Sequence, residues 1–335
     1  MSVLSATLHR RARWRVAALV GSLVMAPAAA HAAATWGGSV SGLPWASGSS
    51  AGKDELADMR GRPLDIRTGY LPKTNWAAMI QSAPAVHRFG AGGRKAVIAV
   101  GMVPESNRGQ LNQCAGGQFD SNIRRIGTAM INAGEPDTVL RLGWEANRVG
   151  GFPWAVQGDG SSWKACYRRW TSVLRSLPGQ RFVFVWNMGQ KGTFSRHIDN
   201  MYPGNDVVDV VGTQFYDRCR SMRSQSDWNA KVNERQPNGS PFGINTWLAY
   251  AKGKGKRLAI PEWGVAGPRY ICSDPGFDNP LFMQMFHTWL AQNAGSIAFE
   301  GYFNGNAGGN PSGGTHKIAP TTWNPRAAAM YRSLW

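Results

Sequence analysis

Short apolar runs alternate with helical patterns along most of the chain. The strongest runs lie at 95–104, 181–189 and 206–217. They are continuous rather than alternating, which is typical of parallel strands buried on both faces. Weaker strand patterns lie at 36–46, 63–70, 139–142, 257–264 and 296–304. The pattern therefore predicts about eight strands.

Helical spacing of apolar residues separates many of these strands. It predicts helices at 119–133, 163–177, 281–293 and 325–334, and the end of another at 245–253. Strands that alternate with helices in a chain of this length indicate an α/β fold, and we expect a single (β/α)8 TIM barrel. A doubly wound open sheet is the alternative, but no glycine-rich phosphate-binding fingerprint follows the first predicted strand.

The first 32 residues have the pattern of a signal peptide. Its basic residues are Arg10, Arg11, Arg13 and Arg15. The apolar run at 16–26 is too short to span a bilayer, and Ala30-His31-Ala32 fits a small-x-small cleavage site. An uncleaved anchor is the alternative. We expect residues 33–335 to form one domain without a membrane span, which is secreted or periplasmic.

Four cysteines remain after the predicted signal peptide: Cys114, Cys166, Cys219 and Cys272. None belongs to a C-x-x-C pair, so a zinc or thioredoxin motif is not indicated. In an oxidising compartment an even number of cysteines favours disulfides over four free thiols. We expect the pairs Cys114–Cys166 and Cys219–Cys272, because each pair joins segments that are near in the order of a barrel.

The charge of the chain is strongly basic, at +17. The four arginines of the predicted signal peptide account for four of these charges, which leaves about +13 for the rest. The charge is dispersed and no nucleic-acid-binding motif accompanies it, so we expect no nucleic-acid partner. An acidic glycan or a basic solvated surface is the better interpretation.

Polar and aromatic residues end four of the predicted strands. These residues are Glu145, Trp186 with Asn187, Tyr216 with Asp217, and Glu262 with Trp263. A barrel brings such strand ends to one rim, where active sites are built. Cleavage of a glycosidic bond needs two carboxyl groups, and Glu145 and Glu262 are the natural pair. The alternative for Glu145 is a surface carboxylate paired with Arg141 or Arg148, and Glu300 is a rival for the second carboxylate.

Three segments, in the right order, resemble glycoside hydrolase family 26, a family of retaining (β/α)8 barrels that includes β-mannanases. They are LRLGWEAN at 140–147 followed by FPW at 152–154, YPGND at 202–206, and IPEWG at 260–264. The first resembles the acid/base segment of the family, the second its sixth-strand segment and the third its seventh-strand segment. The similarity extends from about Trp36 to the last predicted strand.

The resemblance implies a retaining endo-glycosidase that cleaves β-linked polysaccharide. Glu145 would be the proton donor and then the base, and Glu262 the nucleophile. In retaining enzymes the two carboxyl groups lie ~5–5.5 Å apart, and the donor has a raised pKa. Tyr216 would hydrogen-bond the nucleophile; a buried core tyrosine is the alternative. Four tryptophans are candidate sugar platforms, and a core position is the alternative for at least one of them: Trp144, Trp154, Trp186 and Trp263.

Asn147, Asn187 and Asp217 are further candidate substrate-binding residues. One departure concerns Trp144, because mannanases of this family carry histidine before the acid/base glutamate. The expected substrate is therefore a mannan-like polysaccharide or a bacterial exopolysaccharide with acidic units.

We expect no cofactor and no metal, because the histidines show no ligand spacing, and we expect a monomer. A non-catalytic carbohydrate-binding barrel and a transglycosylase are the alternative functions.

Overall fold

Eight parallel strands, each paired with the next in chain order, close into a barrel in the computed structural model. The structure describes residues 40–50, 54–218, 221–266, 277–306, 316–320 and 322–335. The strands are β1 (Ala46–Ser50), β2 (Ile66–Tyr70), β3 (Lys95–Val100), β4 (Val139–Leu142), β5 (Val183–Met188), β6 (Val210–Asp217), β7 (Arg257–Val265) and β8 (Ile297–Phe303). Since β8 also pairs with β1, the predicted single (β/α)8 barrel is confirmed.

Helices follow most strands and cover the outside of the sheet. Within the described ranges they are α1 (Glu55–Arg60), α2 (Trp76–Ser82), α3 (His87–Gly90), α4 (Leu111–Ala115), α5 (Asp120–Asn132), α6 (Ser161–Arg175), α7 (Gln225–Asn233), α8 (Ile244–Gly253), α9 (Pro280–Asn293) and α10 (Pro325–Leu334). The predicted helices correspond to α5, α6, α8, α9 and α10. The shorter helices were not predicted, since a stretch of four to nine residues carries little periodicity.

The first strand lies later in the chain than predicted. It covers Ala46–Ser50 rather than 36–46, and its sequence ASGSS contains no large apolar residue. All five residues are nevertheless buried. A Cβ atom at Gly48 would collide with the backbone carbonyl oxygen of Ile66 on β2, so close strand approach requires a small residue here. A search for apolar residues does not detect a strand whose residues are small so that it can approach its neighbour closely.

A disulfide joins α4 to α6 on the outside of the barrel. Cys114 and Cys166 are bonded, with Cα atoms 5.2 Å apart, and both are fully buried. This confirms the first predicted pair. The second predicted pair, Cys219–Cys272, lies outside the described residues.

Removal of this disulfide is expected to destabilise the fold. The bond closes a loop of 52 residues, and the loss of that constraint on the unfolded chain costs about 2 to 4 kcal/mol. We expect the variant Cys114→Ser/Cys166→Ser to unfold at a clearly lower urea concentration than the wild type, measured by circular dichroism. An unchanged unfolding midpoint would contradict this prediction.

A buried carboxylate stabilises the seam between β8 and β1. Glu300 is fully buried and accepts hydrogen bonds from the indole N–H groups of Trp45, Trp263 and Trp335. Burial raises the pKa of Glu300, and the hydrogen bonds and the nearby Arg60 partly oppose that rise. Glu300 therefore lies between the sheet and the outer helices, and this position rules it out as the second carboxylate of a cleft.

The predicted signal peptide, residues 1–32, lies outside the described part of the chain. Among the helices that the structure describes, none combines the length and apolar character that crossing a bilayer requires.

Candidate active site

Glu262 lies near the carboxyl end of β7, and an irregularity in the strand accompanies it. The pairing of β7 with β8 shifts register between Ile260 and Trp263. Pro261 precedes Glu262 and has no N–H to donate to the sheet, which favours a bulge at this point. Trp263 packs against the outer helix residue Phe286, whereas Glu262 is bonded to residues of β2, β4 and β6. The bulged strand thus directs Glu262 into the barrel.

Three donors from three strands hold the Glu262 carboxylate. Arg141 Nη2 donates to Oε1 at 2.6 Å, and the Tyr70 hydroxyl donates to the same oxygen at 2.8 Å. The Tyr216 hydroxyl donates to Oε2 at 3.3 Å, as the resemblance implied. An ionised carboxylate only accepts hydrogen bonds, so this set of donors suits a negatively charged group. Oε1 therefore accepts two short hydrogen bonds, whereas Oε2 accepts one longer hydrogen bond and is the more accessible oxygen for attack.

The two tyrosines remain neutral donors in this environment. Burial, followed by the negative charge of Glu262, raises the pKa of Tyr70 and of Tyr216 above the usual tyrosine range. Tyr70 also shares a 3.1 Å hydrogen bond with Ser50 at the end of β1. The ring of His316 lies 4.9 Å from that of Tyr216, and burial lowers the pKa of His316 to about 4. At neutral pH, His316 is thus an uncharged support for Tyr216.

Arg141 is the buried cation of the site. Its side chain is fully buried and forms an ion pair with Glu262. Its Nε donates to Oδ1 of Asn187 at 2.8 Å, so the amide of β5 orients the guanidinium. Asn187, which was predicted to contact substrate, is fully buried and instead positions Arg141.

Glu145 occupies a tight turn just beyond β4. Its φ is +54°, a left-handed conformation that is uncommon for a residue other than glycine. Its backbone N–H donates to the carbonyl of Asn187 at 2.9 Å, which holds the turn against β5. Strained backbone of this kind clusters at functional sites. The turn places the Glu145 side chain at the rim with 14% of its surface exposed.

The protonation of Glu145 is shifted towards the neutral form. Burial is the main cause of its raised pKa, and the negative charge of Glu262 adds to it. Arg148 opposes the rise through a 3.0 Å ion pair with Oε2, and Arg218 opposes it more weakly. Asn187 links the two carboxylates, because its carbonyl accepts from the Glu145 N–H and its Oδ1 accepts from Arg141, the ion-pair partner of Glu262. Arg148, and not Arg141, is thus the ion-pair partner of Glu145.

An aromatic cluster lies beside Glu145. Trp144 is 6% exposed and packs against Tyr70, Phe152 and Trp154, with ring centroids 5.8, 5.1 and 4.3 Å away. Trp154 is fully buried, and its indole N–H donates to the Trp144 carbonyl at 2.9 Å. The prediction that Trp154 is a sugar platform is therefore wrong, because its ring supports its neighbours. Phe152, stacked on Trp154 at 4.7 Å, is partly exposed.

Two other predicted platforms belong to the core. Trp186 is fully buried, donates to the Met201 carbonyl and packs against Tyr250 of α8. Trp263 is also fully buried and stacks on Trp335 at 5.0 Å. Both rings point away from the barrel interior into the layer of helices. The prediction that they bind sugar is wrong for this reason.

Two predicted polar contacts stabilise loops instead. Asn147 is 1% exposed; its side chain donates to the carbonyl of Gly189 at 2.9 Å and accepts from its N–H at 2.7 Å. Asp217 is fully buried and accepts from the Met222 N–H and the Asn279 amide. Neither side chain is available to a ligand, so both predictions of substrate contact are wrong. Their contribution is to fix the loops after β4, β5 and β6.

The sequence reasoning missed Tyr70, Arg141 and Phe152 as site residues. Tyr70 is the last residue of the predicted strand 63–70. The other candidates were chosen because they end predicted strands, and Tyr70 could have been chosen for the same reason. Arg141 interrupts an apolar strand, and a charged residue in such a strand needs a buried partner. Phe152 could not be chosen over Trp154 as a sugar platform, because the sequence does not show which of the two stacked rings is exposed.

Within the ranges that the structure describes, no three histidine, cysteine, aspartate or glutamate side chains cluster closely enough to hold a metal ion.

No protein-family model matches this chain, and a comparison with curated proteins finds no match. Solved structures do match. An endo-β-1,4-mannanase of glycoside hydrolase family 26 from Cellulomonas fimi superimposes with a TM-score of 0.61 at 16% identity, over 86% of this chain and 69% of that one. The catalytic domain of a family 26 endo-β-1,4-mannanase from Bacillus sp. JAMB-750 gives 0.54 at 18% identity, over 87% and 86%.

A fungal β-1,4-galactanase gives a TM-score of 0.55 at 12% identity, over 83% of this chain and 89% of that one. At these identities the likeness establishes the fold. The barrel is thus similar to that of family 26 mannanases, and a galactanase shares it too.

Proposed function

We propose that this protein is a retaining glycoside hydrolase that cleaves β-linked polysaccharide, with Glu262 as nucleophile and Glu145 as acid/base. The observation that carries the proposal is the different environment of the two carboxylates. Glu262 accepts hydrogen bonds from a buried arginine and two tyrosines, whereas Glu145 lies at the rim, 14% exposed, with a raised pKa. A nucleophile must be ionised and a proton donor protonated, and these environments favour that division.

In the first step, Oε2 of Glu262 attacks the anomeric carbon while Glu145 gives its proton to the glycosidic oxygen. The bond to the leaving sugar breaks, and a glycosyl ester with Glu262 forms. Oε1 becomes the carbonyl oxygen of that ester, still in contact with Arg141 and Tyr70. In the second step Glu145 takes a proton from water, the resulting hydroxide attacks the anomeric carbon, and Glu262 leaves. Two inversions give net retention.

The predicted signal peptide and the disulfide Cys114–Cys166 both fit a protein that acts outside the cytoplasm. We include secretion or periplasmic export in the proposal for that reason.

The activity is expected to fall on the alkaline side through the titration of Glu145. Protonated Glu145 is needed for the first step, so kcat/KM is full below its pKa and declines as pH rises through it. Arg148→Gln removes the ion pair that lowers this pKa and should move the alkaline limb to higher pH. Profiles of kcat/KM against pH for both proteins test this, with Arg125→Gln on the outer helix α5 as control. A limb that stays in place or moves to lower pH would argue against Glu145 as the acid.

The function itself is tested on a panel of neutral and acidic β-linked polysaccharides. We expect the wild type to release reducing ends from at least one, and the first-formed product to have the β configuration by NMR. The variant Glu145→Gln/Glu262→Gln serves as the blank. Products longer than the substrate would identify a transglycosylase. Binding of a polymer without cleavage would identify a carbohydrate-binding barrel.

A further inference from the structure

Cationic side chains from three loops lie around the candidate catalytic residues. Arg148, in the loop after β4, pairs with Glu145, and Arg218, after β6, has its guanidinium carbon 4.9 Å from the ring centroid of Tyr216. Lys73, after β2, has its ammonium 5.2 Å from the ring centroid of Phe152. These loops all follow the carboxyl ends of strands, so the three cations lie at the face that holds Glu145 and Glu262.

The guanidinium of Arg148 is well placed to bind a ligand. Its side chain is 55% exposed, and among the described residues only its Nη1 donates a hydrogen bond, to Glu145. The remaining N–H groups of this planar fork can bind a second carboxylate in a bidentate manner. Because Glu145 protonates the leaving group, a ligand on Arg148 would lie beside the leaving sugar.

Arg218 extends the positive region across the cleft towards Glu262. It lies over the ring of Tyr216, whose hydroxyl donates to the nucleophile, and its charge also acts on Glu145. Glu105, a carboxylate in the loop after β3, is already paired with Arg108 at 2.7 Å. A carboxylate on the substrate would be attracted by the exposed guanidinium of Arg148, whereas a neutral polysaccharide would gain nothing from its charge.

We propose that the substrate is an acidic polysaccharide and that Arg148 and Arg218 bind a carboxylate on the sugar next to the scissile bond. This inference rests on the proposed function. The charge of about +13 on residues 33–335 is consistent with a polyanionic partner. This assignment also gives Arg148 a second role besides its contact with Glu145. Ligand specificity then depends on two arginines rather than on the aromatic cluster alone.

Matched polymers test this proposal by affinity electrophoresis of the Glu262→Gln variant. Polymannuronate and mannan share a β-1,4-linked backbone, but each sugar of polymannuronate carries a carboxylate where mannan carries a hydroxymethyl group. Xanthan and hyaluronan are compared with their carboxyl-reduced forms, and dextran sulfate measures non-specific attraction at about 0.15 M salt. Circular dichroism establishes that each variant is folded, and kcat/KM of the wild type on the same pairs is a second measurement.

We expect at least one acidic polymer to bind about tenfold more tightly than its neutral partner. Arg148→Gln and Arg218→Gln should each weaken that binding about tenfold, the effect of losing a charge-assisted contact. The control Arg125→Gln removes one charge from the outer surface of α5 and should have little effect. Dextran sulfate should respond to all three substitutions equally.

A preference for the acidic form in none of the three pairs would overturn the proposal, as would equal effects of Arg148→Gln and Arg125→Gln. Cleavage of neutral mannan without any acidic preference would remove the proposal and leave the proposed function intact. Binding of an acidic polymer through Arg148 without cleavage of any polymer would support the proposed ligand and remove the proposed glycosidase function.

Discussion

Glu262→Gln is expected to lower kcat/KM by a factor on the order of 10⁵, which corresponds to an increase of about 7 kcal/mol in the activation free energy. Glutamine has nearly the same shape as glutamate, but its amide cannot form the glycosyl ester. The anchoring groups Arg141, Tyr70 and Tyr216 remain in place, so substrate binding should change far less than turnover. Initial rates of reducing-end release measure the effect. Glu135→Gln, just before β4 at the opposite end of the barrel, is the matched control and should keep wild-type activity.

A chemical rescue separates loss of the nucleophile from loss of the fold. Glu262→Ala leaves space beside Arg141, and added azide can occupy it as a small anion. Azide would attack the anomeric carbon of an activated β-glycoside from the face that Glu262 uses, and the leaving group would depart. The product is an α-glycosyl azide, because only one inversion takes place. A β-glycosyl azide, or full activity of Glu262→Gln, would show that another group is the nucleophile.

Arg141→Met is expected to reduce both stability and activity. The substitution leaves Glu262 without its buried ionic partner, and breaking a buried ion pair on one side costs about 3 to 5 kcal/mol. It also removes the donor to Asn187. We expect a lower urea midpoint and a loss of turnover of about 10²-fold or more, since Oε1 is no longer held by the 2.6 Å hydrogen bond.

Two comparisons make this prediction specific. Arg148→Met breaks an ion pair whose arginine is 55% exposed, and such pairs contribute about 1 kcal/mol or less. Arg141→Met/Glu262→Met removes both charges and should recover part of the lost stability while remaining inactive. Equal unfolding midpoints for Arg141→Met and Arg148→Met would show that burial of the Arg141–Glu262 pair contributes nothing to the fold.

The strand pattern of this chain could be predicted because most strands are buried on both faces and therefore continuously apolar. The two glutamates were selected from that pattern, since Glu145 lies just beyond β4 and Glu262 lies near the carboxyl end of β7. β1 could not be predicted from ASGSS, where small size rather than hydrophobicity is required. Trp186 and Trp263 were misjudged because the sequence does not show which way the side chain at a strand end points.

The partners of the glutamates were harder to predict than the glutamates themselves. Arg141 lies four positions from Glu145, but the barrel pairs it with Glu262, 121 positions away. Tyr70 is 192 positions from Glu262. Contacts of this separation depend on barrel closure and strand register, which local patterns leave undetermined.

The seam at Glu300 has a consequence for synthesis of the chain. Trp45 and its acceptor Glu300 are 255 positions apart. At 5 to 20 residues per second, a ribosome needs about 13 to 50 s to add that many residues. Throughout this time β1 has no β8 to pair with, and its edge stays open to other chains. The barrel can therefore close, and the indole cluster around Glu300 can form, only after the C-terminal segment has been made.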